Sequence, residues 1–92
     1  MTLSKEQLAS LEKLGGTFFS VQQCALVIEV DQMDLKKAIK NPSTEAHKAY
    51  YKGFLTSTLK LRESIMELAT RGSSPAQAQM LKILEQALNA NG

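Results

Sequence analysis

Basic residues are concentrated in the middle third of this 92-residue chain. Between residues 36 and 62, seven basic side chains stand against a single acid, Glu45, and the segments on either side are mildly acidic. Lysines that approach phosphates release bound counterions, so this block favours a polyanion as partner. A solvated, lysine-rich surface is the alternative. The basic residues are Lys36, Lys37, Lys40, Lys48, Lys52, Lys60 and Arg62.

The first part of this block lies in a segment with the spacing of a helix-turn-helix, residues 21–40. Apolar residues at helical spacing predict a short helix over residues 21–28. A tight turn follows at residues 29–31, with Val30 as its apolar contact, and Leu35 and Ala38 anchor a second helix. Such a motif projects its second helix into the major groove of DNA. A glycine is usual in the turn, and Glu29 stands there instead.

The polar face of the second helix carries side chains that suit DNA. Gln32 can bond adenine in a bidentate way, and Lys36 or Lys37 can reach guanine or a phosphate. Asp31 and Asp34 favour phosphate contacts by the lysines over base reading at the start of this helix, because carboxylates repel phosphates. The same side chains also make the polar face of any amphipathic helix. The predicted DNA-binding residues are Gln32, Lys36, Lys37, Lys40, Lys48 and Lys52.

Capping signals predict where the first three helices begin and end. Ser4 and Ser20 are each followed three residues later by glutamine, and such capping boxes open the first and second helices. Gly15 and Gly16 are expected to end the first helix by adopting the left-handed conformation. Pro42 ends the third helix, because it excludes the residue before it from the helical region.

Two longer helices are predicted for the second half of the chain. A fourth helix begins after Ser43 or Thr44 and stops at Gly72. Whether it breaks near residues 53–58 stays open, because glycine, threonine and serine are weak helix formers. A fifth helix is capped by Ser74, has a proline at its first helical position and runs to about residue 88, after which the chain is expected to fray.

The fold is therefore predicted to be all-α, with about five helices. A helix-turn-helix head over residues 1–41 precedes an antiparallel helical hairpin over residues 43–90, and the two make one compact unit. Small residues at positions 46, 49, 53 and 57 admit another helix, and the apolar residues at 54, 55 and 59 cannot all face one core, so the hairpin is expected to bury apolar surface against a partner, which can be a partner protein or a second copy of the chain. The predicted oligomerisation residues are Ala49, Gly53, Leu61, Ile65, Leu68 and Leu84.

Composition and residue counts exclude several classes of function. The chain is 43% hydrophobic and 22% charged, a normal balance for a globular protein. One cysteine and one histidine are too few for an internal disulfide or a structural metal site, and no catalytic residue or cofactor is predicted. The longest apolar run, residues 24–28, is too short to span a membrane, and the amino terminus lacks signal-peptide features. We expect a cytoplasmic protein.

Seven further side chains have individual predictions. Cys24 lies on the apolar stripe of its helix and is expected to be a small core residue. Tyr50 is expected to pack in the interior and Tyr51 to be the more exposed tyrosine. His47 is expected to be a surface residue or a phosphate contact. Met33, like the methionines at positions 66 and 80, is expected to fill a gap in the packing.

Over roughly residues 19–84 the sequence resembles the small subunits of phage terminases. These proteins often begin with a helix-turn-helix, followed by a longer helix with a tyrosine and a glycine near its start, a turn glycine and an alanine-bearing helix. The corresponding segments here are residues 19–25, Tyr50-Tyr51-Lys52-Gly53, residues 61–72 and Ser73-Ser74-Pro75-Ala76.

The resemblance implies a non-enzymatic protein that recognises viral DNA in the host cytoplasm, assembles as a ring and hands the DNA to a large ATPase–nuclease subunit. It assigns the DNA-facing role to Lys36, Lys37 and Lys40, and assembly to the helices between residues 44 and 88. Two alternatives stay open. One is a small helix-turn-helix transcriptional regulator, which predicts a dimer on a palindromic site. The other is a helical adaptor that binds a partner protein.

Overall fold

The computed structural model describes residues 1–91 and confirms the all-α prediction. Five helices and no strand lie within this part of the chain. The chain divides into two compact units, Met1–Thr58 and the segment from Leu59 onward. The predicted boundary near residue 42 falls in the loop before the fourth helix, whose first half belongs to the first unit. The helices are α1 (Lys5–Gly16), α2 (Val21–Ile28), α3 (Gln32–Lys40), α4 (Glu45–Thr70) and α5 (Ser74–Asn91).

Both predicted capping boxes are confirmed. The Ser4 hydroxyl accepts the backbone N–H of Gln7 at 3.0 Å, and the Gln7 side chain accepts the N–H of Ser4 at 2.9 Å. Ser20 and Gln23 repeat the arrangement at the start of α2, with distances of 3.2 and 3.1 Å. These bonds satisfy backbone donors that a helix start otherwise leaves unpaired. The two serines therefore fix the first residues of α1 and α2.

α1 ends at Gly16, where the sequence predicts, but the predicted cause is wrong. Both glycines are helical, and Phe18 is the residue that takes the left-handed conformation, with φ 63°. Hydrogen bonds from Phe18 N–H to Gly15 O and from Phe19 N–H to Leu14 O, each 3.1 Å long, close the helix in a Schellman motif. The glycines therefore have another purpose.

That purpose is the close crossing of α1 and α4 within the first unit. A Cβ atom at Gly15 would overlap the carbonyl oxygen of Tyr50, and one at Gly53 would overlap the carbonyl oxygen of Glu12. Side chains at these positions would force the two backbones apart. Glycine is required here for contact between helices rather than for a turn.

The core of the first unit joins all four of its helical segments. Leu11 of α1, Cys24 of α2 and Leu35 of α3 are fully buried, and Tyr50 of α4 closes the cluster with its hydroxyl bonded to the carbonyl oxygen of Phe19 at 2.7 Å. The predicted stripe of α2 and the predicted roles of Cys24 and Tyr50 are confirmed. The remaining buried members are Ala25, Ile28, Ile39 and Ala46.

The turn between α2 and α3 forms without glycine. Glu29 adopts the left-handed conformation with φ 59° and ψ 50°, and the N–H of Val30 bonds to Ala25 O at 3.0 Å. Val30 packs against the core as predicted. The side chain of Asp31 then accepts the N–H of Asp34 at 3.0 Å and caps α3. The predicted helix–turn–helix sequence of elements is thus present over residues 21–40.

α4 is one continuous helix, so the break considered near residues 53–58 is not formed. The Thr58 hydroxyl donates to Phe54 O at 2.7 Å, so its side chain is bonded to the preceding turn of the helix. The helix ends as predicted at Gly72, which has φ 97°, and the N–H of Ser73 bonds to Leu68 O at 3.1 Å. A three-residue turn then leads to α5.

α5 differs from its prediction at both ends. Ser73 caps it, with its hydroxyl accepting the N–H of Ala76 at 3.4 Å, so the helix includes Ser74 and places Pro75 second. This shift of one residue is tolerated because the first turn of a helix needs no N–H from proline. The helix continues to Asn91, so the fraying predicted from residue 89 is wrong.

The second unit buries little. Ala76 is its only buried apolar side chain among the described residues. A narrow stripe beside it is partly buried, with Ile65 and Ala69 on α4 and Met80, Ile83 and Ala87 on α5. The spacing of the α5 residues, four and three in alternation from Ala76, is that of a helix packing along one seam.

Candidate nucleic-acid interface

The solvent face of α3 is a single stripe of three lysines and one methionine. Met33, Lys36, Lys37 and Lys40 are all exposed and follow the spacing i, i+3, i+4, i+7, which places them on one side of a helix. Leu35 and Ile39, on the other side, are buried in the core. We call these four residues the α3 stripe. Gln32 is exposed on its flank.

The lysines of the α3 stripe are not neutralised within the described chain. The ion pairs found among residues 1–91 involve other cations: Lys48 with Glu45 at 3.8 Å, Lys52 with Glu12 at 3.9 Å, and Arg71 with Glu67 at 2.6 Å. The positive charge of α3 is therefore directed to solvent, where a phosphate can reach it.

The predicted DNA-binding residues do not form one surface. Gln32 and the three α3 lysines share a helix, whereas Lys48 and Lys52 line a shallow groove between α1 and α4 together with Leu8, Ala9 and the two glutamates that pair with them. A count of charges along the chain does not reveal this division, because Glu12 approaches Lys52 only in the folded protein. The structure thus separates unpaired lysines on α3 from paired lysines on α4.

The two aspartates near the start of α3 have specific positions. The Asp31 carboxylate accepts the N–H of Asp34 and so caps α3. Asp34 lies in a shallow depression with Met1, Lys37 and Asn41, on the flank of the α3 stripe. The acids at the start of the helix therefore stand beside the outward lysines rather than among them.

Side chains of the neighbouring helices hold α3 in place. The Gln7 side chain donates to the carbonyl oxygen of Ile28 at 3.1 Å and so connects α1 to the end of α2. The Thr44 hydroxyl donates to the carbonyl oxygen of Ala38. Nδ1 of His47 lies 2.6 Å from the carbonyl oxygen of Ile39, and the imidazole stands 4.6 Å from the ring of Tyr51. The end of α2 and the end of α3 are thereby anchored.

The structure corrects the prediction that His47 is a surface residue. It is partly buried and bonded to the backbone of α3, so it positions the end of that helix and is not a free surface residue. Tyr51 is exposed, as predicted. Met33 and Met66 are also exposed, so the prediction that they fill packing gaps is wrong, while Met80 is partly buried.

The predicted oligomerisation residues fall into two groups. Gly53 is buried against α1 of its own chain and Ala49 packs on the same core, so these two are corrected to intramolecular contacts. Leu61, Leu68 and Leu84 are each more than half exposed. Ile65 is partly buried in the hairpin.

The exposed apolar residues of the second unit include Leu84, which is a predicted oligomerisation residue, and others that are not on that list. Leu81, Leu84 and Leu88 follow the spacing i, i+3, i+7 on α5 and form a second apolar stripe beside the partly buried one. Leu59 and Met66 are exposed on α4. The signal was present in the sequence as two adjacent apolar seams on one helix, more than a single partner helix can cover.

The titratable side chains of the core are held in their neutral forms. Burial raises the pKa of the Cys24 thiol, and burial together with the nearby Cys24 and Tyr51 raises the pKa of Tyr50. Among residues 1–91, no group of three His, Cys, Asp or Glu side chains is arranged to hold a metal ion. Within the same range, no helix combines the length and the apolar character that a membrane span requires.

Comparison of the chain with family models, with curated proteins and with solved structures found no match in any of the three. The arrangement of the α3 stripe and of the exposed leucines is therefore what bears on function.

Proposed function

We propose that this chain is a non-enzymatic protein that binds double-stranded DNA through α3 and acts as a homo-oligomer. The observation that carries the proposal is the α3 stripe: three exposed lysines without ion-pair partners in the described chain, on the second helix of a helix–turn–helix. In this motif the second helix enters the major groove and places its side chains against bases and phosphates.

Charge release makes the lysines of α3 the stronger contributors to binding. Each lysine that neutralises a phosphate frees condensed counterions, and this sets the dependence of affinity on salt. Lys36, Lys37 and Lys40 have no ion-pair partner within the described chain. Lys48 and Lys52 each have a carboxylate nearby, at 3.8 and 3.9 Å, and because such exposed pairs are weak we expect these two lysines to contribute only somewhat less.

Assembly is supported by the apolar surface of the second unit. Seven large apolar side chains there are each more than half exposed, and burying them against a second copy would remove this apolar surface from water. The charged residues after Leu59 are nearly balanced, four basic against three acidic, so two copies do not repel strongly. The exposed residues are Leu59, Leu61, Met66, Leu68, Leu81, Leu84 and Leu88.

Viral DNA packaging is the setting that we propose for this activity. A DNA-binding helix-turn-helix followed by a self-associating helical hairpin is the arrangement expected from the resemblance to phage terminase small subunits. In that role the oligomer presents DNA to a large ATPase–nuclease subunit. A transcriptional regulator with the same α3 stripe would instead be a dimer on two half-sites one helical turn apart.

Solution mass by light scattering, with and without a short DNA duplex at low salt, tests both halves of the proposal. A ring-sized particle that takes up duplex supports the packaging role, and a dimer that takes it up supports the regulator. A particle that ignores duplex at low ionic strength refutes DNA binding. A monomer at micromolar concentration refutes assembly.

Paired variants show whether α3 is the binding helix. Changing Lys36 and Lys37 to alanine is expected to lower the slope of log affinity against log salt by about one for each lysine–phosphate pair that the change removes. Changing Lys48 and Lys52 is the matched control, with the same decrease in charge and a smaller expected decrease in slope. Equal slopes for the two double variants would contradict the assignment of α3.

One observation favours an adaptor as second candidate. Leu26 is 75% exposed on the outer face of α2, and its neighbour Val27 is more than half exposed. Neither residue is needed for the core, and both lie on the helix–turn–helix itself. If Leu26→Asp abolishes capture of a partner protein while DNA binding is absent in the unchanged chain, the adaptor replaces the proposal above.

A further inference from the structure

Met33 is the apolar member of a face that otherwise consists of charge. Its side chain is 59% exposed, and it does not belong to the cluster that forms the core. It lies one turn before Lys36 and Lys37 on the α3 stripe, in the first turn of α3. Its side chain is therefore free to contact a partner of α3.

Met33 lies in the part of α3 from which a recognition helix reads bases. Asp31 and Asp34 repel phosphates there, but this repulsion does not act on the contact of an apolar side chain with a base. In a helix-turn-helix it is the N-terminal part of the second helix that contacts base edges. Lysines further along such a face bond phosphates or guanine, whereas an apolar side chain has one feature to contact in the major groove, the C5 methyl group of thymine. Gln32, next to Met33, offers the bidentate amide that suits adenine.

We infer that Met33 is a specificity-determining residue that packs on the C5 methyl group of a thymine in the major groove. This inference rests on the proposed binding of DNA by α3. It names the chemical feature that the helix distinguishes, and it predicts a preference for A·T base pairs at the position under the first turn of α3. The lysines of the stripe supply affinity without this selectivity.

A pair of duplexes that differ only in the methyl group tests the inference. Alternating A·T duplexes of 24 base pairs are compared with the same duplexes in which uracil replaces every thymine. Covering one methyl group with apolar surface is expected to favour the thymine duplex by about fourfold for each bound protomer. Binding is measured by fluorescence anisotropy at low salt, with the full chain.

Substitutions at Met33 separate this contact from the rest of the interface. Met33→Ala is expected to bind both duplexes equally, while Met33→Leu keeps the preference because it keeps an apolar side chain of similar size. Lys36→Ala is the matched control: it weakens binding to both duplexes by the same factor and leaves their ratio unchanged. Because Met33 is exposed, its variants are expected to fold like the unchanged chain.

Two results would overturn the inference while DNA binding stands. One is equal binding of the thymine and uracil duplexes by the unchanged chain. The other is a preference for thymine that persists in Met33→Ala. Failure to bind either duplex would instead refute the proposed function itself, and the inference with it.

Discussion

The two compact units differ in how much of their stability comes from their own packing. In the first unit four helical segments share a buried cluster, and side chains such as Gln7 and His47 bond across to the backbone of neighbouring helices. In the second unit Ala76 alone is buried among the described apolar side chains, while seven larger ones are mostly exposed. The first unit has a core of its own, and the second has the surface of a helical element that lacks a partner.

This difference suits the two units to two different roles in the proposed function. If α3 binds DNA as we propose, it must be held rigidly, and α3 is held by the core beneath it and by bonds at the end of α2 and at its own end. An assembling element must keep apolar surface available, and the hairpin does so. Stability of the first unit should therefore be independent of protein concentration, whereas that of the second should depend on it.

Leu35→Ala gives the largest expected effect and tests the first half of this comparison. Leu35 is fully buried, so the substitution removes apolar packing and leaves a cavity. The free energy of unfolding of the first unit is expected to fall by about 3 kcal/mol. Urea unfolding followed by circular dichroism measures it, at two protein concentrations that should agree.

The control for Leu35 is an identical change on the neighbouring helix. Leu26→Ala removes the same atoms from a side chain that is 75% exposed, and its effect on stability should stay within about 0.5 kcal/mol. If the two variants unfolded at the same urea concentration, the core of the first unit would not be the one described.

Gly53→Ala comes next in size and tests the crossing of α1 and α4. The added methyl group collides with the backbone of α1, and separating two packed helices outweighs the better helix propensity of alanine, which is worth about 1 kcal/mol. A net decrease of about 2 kcal/mol in the free energy of unfolding is expected. A gain in thermal stability would show that the crossing is looser than the structure has it.

Gly72→Ala is the matched control for Gly53. Gly72 has open space around it, so its substitution meets no atom, but the left-handed backbone costs alanine about 1 kcal/mol. The two positions thus require glycine for different reasons. At Gly53 a neighbouring backbone leaves no room for a Cβ atom, and at Gly72 the φ angle of the residue itself disfavours other residues.

Local signals in the sequence predict most of the fold. The serines at positions 4 and 20 with their glutamines, Pro42 and Gly72 act through neighbours a few residues away, so their effects can be read along the chain. The prediction for Gly15 is wrong because the reason for this glycine lies on α4, thirty-five residues further on. The left-handed conformations of Phe18 and Glu29 are equally hard to predict, since neither residue type favours that conformation and both occur in local helix-end hydrogen-bond patterns.

The candidate site is predictable only in part. The lysines of α3 follow from helical periodicity once the helix is placed. The pairing of Lys52 with Glu12 does not, because it joins residues forty positions apart. The exposure of the leucines on α5 cannot be predicted from the sequence either. A stripe of apolar residues has the same sequence pattern whether a helix of the same chain or of another copy covers it.

A double substitution in the hairpin tests the second half of the comparison. Leu81→Ala with Leu84→Ala removes two exposed side chains of the α5 stripe. If a second copy covers them, the pair weakens association by about 2 kcal/mol, or roughly thirtyfold in the dissociation constant. Light scattering over a range of concentrations measures it. The control is Leu26→Ala, which should leave the mass unchanged; a mass that is equally unchanged in the double variant would contradict assembly through α5.

Glu29→Gly has the smallest expected effect and is directed at the turn that sets the angle between α2 and α3. Glu29 holds a left-handed conformation that glycine adopts without a Cβ clash, so relief of this strain should raise the free energy of unfolding. Part of the gain is offset by the greater freedom of glycine in the unfolded chain, and about 0.5 kcal/mol should remain. Glu29→Ala removes the same charge but keeps a Cβ, and it should bring no such gain. A higher free energy of unfolding for Glu29→Ala would mean that the charge of Glu29, and not its backbone conformation, destabilises this turn.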